Sequence, residues 1–211
     1  MRRARGRPWQ TERVLDAPLR ARLGPSLDRA GSVLAARGVP AGAVTAAGLA
    51  VGIGACVAAA LAVWPLALVL WMANRTADGL DGPLARQSAP SDFGGFLDFV
   101  ADFVVYGGFL VGVAIALPGA RLACCALLAA YLLNNVALLT FASLVEKRRL
   151  AYGDERSLRF TSGLTESTET FVAYALVCLL PGAAEWIAWI FTAMVLFTVG
   201  QRVAMARRAL R

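Results

Sequence analysis

Asp78, Asp81, Asp98 and Asp102 are the residues of this sequence best placed to do chemistry. The stretch reads Asp78-Gly-Leu-Asp81-Gly82-Pro-Leu-Ala85-Arg86, then eight residues, then Gly95-Phe-Leu-Asp98-Phe-Val-Ala-Asp102. Side chains three or four positions apart share one face of a helix, so each pair aims its carboxylates the same way. The second pair sits inside an apolar run. At a helix centre in a membrane each carboxylate costs about 2.5–3.5 kcal/mol, and four would cost roughly 10–14 kcal/mol. Two carboxylates about 4 Å apart repel by roughly 4 kcal/mol at an effective dielectric near 20. Four converging on one space need counter-charge, which two Mg2+ or Mn2+ ions would supply. Two-metal sites serve phosphoryl and phosphodiester chemistry.

The chain has no histidine, which excludes His-based triads, general bases and metal ligands. A metal must therefore be hard and oxygen-loving rather than zinc. Cys56, Cys124, Cys125 and Cys178 all lie in apolar segments and read as small core residues. Intramembrane carboxylates also suit metal-ion or proton transport. On residue types alone, a carboxylate-based transporter and a metal-dependent enzyme both stay open.

The elements that must position these acids follow from hydropathy. The chain is 58% hydrophobic with a mean hydropathy of +0.62, above the 45–50% apolar content typical of soluble domains. Apolar segments over 44–64, 66–86, 94–117, 122–144, 164–180 and 183–204 predict six membrane spans. Pro65, Pro118-Gly119 and Pro181-Gly182 mark turns between them, and Gly82-Pro83 suggests a helix interrupted at the membrane edge. Residues 1–38 are basic, with Leu15, Leu19, Leu23 and Leu27 every fourth position, which predicts an amphipathic helix lying on the membrane. Pro18 and Pro25 are expected to break it. No signal peptide is expected. The predicted fold is all-α: a polytopic membrane protein of six transmembrane helices (39–211) preceded by an interfacial amphipathic segment (1–38).

Net charge is +7. The basic residues gather at the ends of apolar runs, which points to membrane orientation rather than nucleic acid. With a cytoplasmic N-terminus, every Lys and Arg except Arg121 falls on the inner side. Both termini and the aspartates are then expected at the cytoplasmic face of an inner membrane. Gly79, Gly82, Ala85 and Gly95 would let a ligand approach the backbone, and Arg86 suits a phosphate oxygen.

The spacing Asp78-x-x-Asp81-Gly82-x-x-Ala85-Arg86, eight residues, Gly95-x-x-x-Asp98-x-x-x-Asp102 resembles the signature of the CDP-alcohol phosphotransferases, with all fixed positions present. The segment from Gly38 through Pro40 and Thr45 to Gly48 looks like that family's entry to its first span, with Gly42 where Asn is frequent. The resemblance covers about residues 38–204. It implies transfer of a phosphatidyl group from a CDP-linked lipid, such as CDP-diacylglycerol, to a small alcohol, with release of CMP. It implies that Asp78, Asp81 and Asp98 hold two Mg2+ or Mn2+ ions. Asp102 would be the general base and a further candidate metal ligand. Thr45, Gly82, Ala85 and Arg86 would lie on the nucleotide side. A homodimer is also implied. A catalytically silent scaffold is disfavoured by the complete set of aspartates.

The acceptor alcohol rests on less specific residues. Lys147, Arg148, Arg149, Arg156 and Arg159 form either a phosphate-binding patch or simply the positive-inside signal. Glu166 and Glu169, three apart, either line the acceptor pocket or mark a helix start.

Overall fold

The apolar segments fold as helices, as they must in lipid, where each backbone amide needs a partner within its own segment. The structure is a computed structural model that describes residues 16–87, 91–148 and 167–210; side chains are described from Gly24 onward, except those of Ala85 and Ser167. The helices are α1 (Asp16–Ala36), α2 (Ala41–Ala60), α3 (Trp64–Gln87), α4 (Asp92–Ala116), α5 (Arg121–Lys147), α6 (Ser167–Leu179) and α7 (Ala184–Ala209). No strand occurs among the described residues. The expected Pro-Gly turns are short 3-10 turns, Pro118–Ala120 and Pro181–Ala183. The turn before α3 uses Ala62 at φ 56°.

Ala41–Ala60, Asp92–Ala116, Pro118–Lys147 and Pro181–Ala209 are long and apolar enough to cross a membrane. Helix α3 is also long, but Arg75, Asp78, Asp81 and Arg86 make its second half polar. The described part of α6 has 13 residues. Leu61, Val69, Leu122, Trp186 and Ile190 are exposed on the outer faces, where a lipid solvent favours them.

Two sequence expectations about breaks are corrected. Pro25 lies inside a continuous α1, and Pro83 inside a continuous α3. Pro83 falls in the last turns of its helix, where few intrahelical bonds depend on it. Its ring is also packed against α1: a Cβ on Gly31 would come 2.8 Å from the Cβ of Pro83.

Helix α2 is the shared support of the two acidic helices, contacting α3 on one side and α4 on the other. Small residues allow this approach. A Cβ on Gly112 would meet the Cys56 carbonyl oxygen at 2.5 Å, and one on Gly52 would meet Asn74 Nδ2 at 2.8 Å. Helix α4 also packs on α5, α5 on α7, and α6 on α3. The core where α3, α4 and α6 meet is aromatic. Trp71 lies 5.0 Å from Tyr174 and 5.6 Å from Phe109, centroid to centroid, and Tyr174 stacks on Phe109 at 4.7 Å. The polar tips are satisfied: Trp71 Nε1 donates to the Phe171 carbonyl at 3.2 Å, and Tyr174 Oη to the Tyr106 carbonyl at 2.9 Å.

Candidate active site

This aromatic core ends at a polar layer. Helical spacing brings Arg75, Asp78 and Asp81 along the second half of α3, and Asp98, Asp102 and Tyr106 along the first half of α4. Ser91 starts α4 as its N-cap, accepting from the Gly94 amide at 3.1 Å. That cap sets where the helix begins and hence which face Asp98 and Asp102 occupy.

Arg75 is the centre of the layer. Its Nη2 donates to Asp102 Oδ1 at 2.8 Å and to Asn74 Oδ1 at 2.7 Å. Its Nε donates to the same Asn74 oxygen at 2.9 Å. Its Nη1 donates to Tyr106 Oη at 2.7 Å and, more weakly, to Asp78 Oδ2 at 3.4 Å. The guanidinium carbon also sits 5.0 Å from the Trp71 ring centroid and 4.9 Å from that of Tyr106. Asn74 is fixed in turn, its Nδ2 donating to the Gly48 carbonyl at 2.8 Å.

Asp81 is buried, and its Oδ2 accepts from Thr45 Oγ1 at 3.0 Å across the α2–α3 contact. Its Oδ1 is buried with no hydrogen-bond partner among the described residues. Asp98 is half-buried and lies within electrostatic reach of Asp81 and Asp102. The sequence-predicted aspartates therefore share one neighbourhood, joined there by Thr45.

The donor set is all oxygen, which suits a hard divalent cation. The orphaned Oδ1 of Asp81 is the kind of buried acceptor that such an ion would satisfy. Among the described residues, no three acidic side chains already converge on one ion position; Arg75 bridges Asp78 and Asp102 instead.

The other predicted residues are placed differently. Gly82 is exposed on α3. Ala85 lies on the same helix. Arg86 pairs with Asp28 of α1 at 2.8 Å, with both side chains mostly exposed. Arg148 is exposed and donates to the Leu210 carbonyl near the end of α7. Glu169 is half-buried in the first turn of α6. Arg149, Arg156, Arg159 and Glu166 lie outside the described residues.

Sequence reading counted Arg75 only as a topological charge and did not single out Trp71 or Tyr106. A signal existed: Arg75 stands three residues before Asp78, on its helical face.

A family model described as CDP-alcohol phosphatidyltransferase matches residues 39–200. The inner membrane protein YnjF of Escherichia coli K12 is 38% identical over 194 residues, covering 90% of this chain and 94% of that protein. The fold is similar to Mycobacterium tuberculosis phosphatidylinositol phosphate synthase PgsA1, solved with CDP-DAG bound. The TM-score is 0.67 at 16% identity, over 85% of this chain and 92% of that one. The same enzyme with manganese and citrate gives a TM-score of 0.67 at 17% identity, over 85% and 88%. At such identities the likeness to PgsA1 is one of fold. Four membrane-length apolar helices and an inner-membrane relative make this chain an integral membrane protein.

Proposed function

The chain belongs to the CDP-alcohol phosphatidyltransferase family, and from that premise we propose that it transfers a phosphatidyl group from a CDP-linked lipid to the hydroxyl of a small alcohol. CDP-diacylglycerol is the donor favoured, since the PgsA1 structure of like fold holds it. The observation that carries the reading is the acidic layer itself: Asp78, Asp81, Asp98 and Asp102 on two helices held by one support, with an orphaned carboxylate oxygen on Asp81.

The reaction balances as a substitution at phosphorus. The acceptor oxygen forms a bond to the lipid-bearing phosphorus, and the bond from that phosphorus to the bridging oxygen of the diphosphate breaks. CMP leaves with the bridging oxygen, and the acceptor proton passes to Asp102. Asp78, Asp81 and Asp98 would hold Mg2+ or Mn2+, two ions in the fullest case, with Asp102 a candidate ligand of the second. Bound there, the ions would neutralise the diphosphate and the departing CMP. PgsA1 was solved with manganese, which favours the same use of metal here.

The chain's own residues have separable tasks. Thr45 orients Asp81 through its hydroxyl. Arg75 aims Asp102 through their ion pair. Gly82 and Ala85 leave room for the cytidine, and Arg86 steadies the nucleotide side. Arg148, Arg156, Arg159, Glu166 and Glu169 are the proposed acceptor contacts. Six spans over 39–211, a membrane-surface segment over 1–38, cytoplasmic termini and a homodimer complete the reading. The lopsided distribution of Lys and Arg supports the orientation.

The test is CMP release by purified protein in detergent with CDP-diacylglycerol and Mn2+ or Mg2+. Acceptors would be offered singly: glycerol 3-phosphate, serine, inositol, inositol phosphate and choline. Release with one acceptor, abolished by a chelator, is expected. Failure with all of them, and with ether-lipid donors, would overturn the reading in favour of metal-ion or proton transport.

A further inference from the structure

A groove of about 490 Å³ runs between the second half of α5 and the end of α7. Its walls are mainly apolar, with Val136, Phe141 and Leu144 from α5 and Val203 from α7. Two cations complete it: Arg202, only 7% exposed, and Arg207, which lies open. Arg148 closes one end by donating to the carbonyl of Leu210, a residue that also lines the groove. No acidic side chain lines it among the described residues.

This groove is separate from the acidic layer. Tyr131 of α5 faces the aromatic border of that layer, its ring centroid 6.5 Å from Phe103 and 6.4 Å from Tyr106. Thr140 stands nine positions further on, about half a turn round the helix, and it lines the groove. The groove is therefore on the opposite face of α5. Val136 and Val203 are exposed, so it opens outward, where a membrane protein meets lipid. Helix α4 runs away from the acids and α5 returns, which puts the groove's arginines on the same side of the membrane as the aspartates.

From Val136 to Leu144 the helix rises about 12 Å, close to the roughly 15 Å of hydrocarbon in one leaflet. The apolar walls thus have the length of one acyl chain. A neutral lipid would use those walls alone. Arginines within membrane helices mark ligand sites, and basic grooves between such helices suit anionic head groups. A guanidinium also matches the oxygens of a phosphodiester as a planar fork. We propose that this groove binds one anionic phospholipid, with its phosphate at Arg202 and Arg207 and an acyl chain along Phe141, Leu144 and Val203. The lipid ties α5 to α7 from outside the bundle and is not consumed. The inference stands independently of the transferase reading.

Native mass spectrometry of the full-length protein in detergent tests it by counting bound lipids. The probes are dioleoyl phosphatidylglycerol and dioleoyl phosphatidylcholine, which share chains and differ in charge. Phosphatidylglycerol should bind about tenfold tighter or more; equal binding would mean an unselective lipid belt and overturn the proposal. Arg207→Gln should weaken phosphatidylglycerol about fivefold. Ala206→Trp, which fills the groove, should abolish the preference, with circular dichroism confirming the helical fold. If that variant does not fold, Val203→Trp at an exposed position replaces it. A preference that survives these changes would place the lipid elsewhere and overturn the proposal. Inorganic phosphate binding as tightly as the lipid would assign the site to a free anion, with the same consequence. So would loss of a dimer mass in Ala206→Trp at unchanged lipid count, which would assign the groove to a second copy of the chain.

Discussion

Nη2 of Arg75 on α3 lies 2.8 Å from Oδ1 of Asp102 on α4. The two helices share α2 as a common support, and Trp71 of α3 reaches Tyr106 and Phe109 of α4 beside the pair. The ion pair therefore links the two halves of the acidic motif across the site, and Tyr106 reinforces it from the next turn of α4. It fixes the direction of the Asp102 carboxylate, as a proton acceptor needs.

Asp102→Asn keeps the shape and loses the base. Turnover measured as CMP release should fall by about 10²–10⁴-fold. Binding of the CDP-lipid, followed separately by calorimetry, should persist. Near-normal turnover would remove Asp102 from the role of base.

Thr45→Val removes the only hydrogen bond made to Asp81 among the described residues. A bond to a charged group contributes about 1.5–3 kcal/mol. The Mn2+ concentration for half-maximal activity should rise several-fold while the nucleotide still binds. An unchanged metal titration would mean that the hydroxyl does not orient this ligand.

Arg86→Ala and Asp28→Ala separate two uses of one arginine. The pair is exposed, so its contribution to stability is about 0–1 kcal/mol. Asp28→Ala should leave CMP release nearly unchanged, and Arg86→Ala should lower it by weakening nucleotide binding. Equal losses would show that Arg86 acts by docking α1.

Gly112→Val probes the support rather than the chemistry. Even its first added carbon would meet the Cys56 carbonyl oxygen at 2.5 Å, forcing α2 and α4 apart. Overpacking of this kind costs about 1–3 kcal/mol. A lower melting temperature in detergent is expected, together with loss of activity at the working temperature. An unchanged melt would contradict the tight α2–α4 contact.

Arg148→Ala should impair only phosphorylated acceptors if the side chain binds phosphate. Arg148 also donates to the Leu210 carbonyl, linking the end of α5 to that of α7. Equal losses of CMP release with every acceptor would assign it to that helix contact.

The all-helical architecture was legible because membrane helices satisfy their own backbone, so apolar runs and Pro-Gly turns map directly onto elements. The breaks expected at Pro25 and Pro83 were not found. Local propensity disfavours proline in a helix, but it does not register the packing of Gly31 against Pro83. The interfacial stripe of 1–38 was read as facing lipid; in the structure Leu27 lies against Gly79 of α3, so part of α1 covers the signature helix.

The sequence by itself determined which aspartates belong together, because spacings of three and four are a property of a single helix and survive any packing. It also determined the family, since the signature is local. Only the tertiary structure decided that Thr45 meets Asp81, that Arg86 reaches Asp28, and that Arg75 meets Asp102. Those partners sit on different helices, and the distance between helices is set by side-chain packing at Gly48, Gly52 and Gly112, to which spacing along one chain segment is blind.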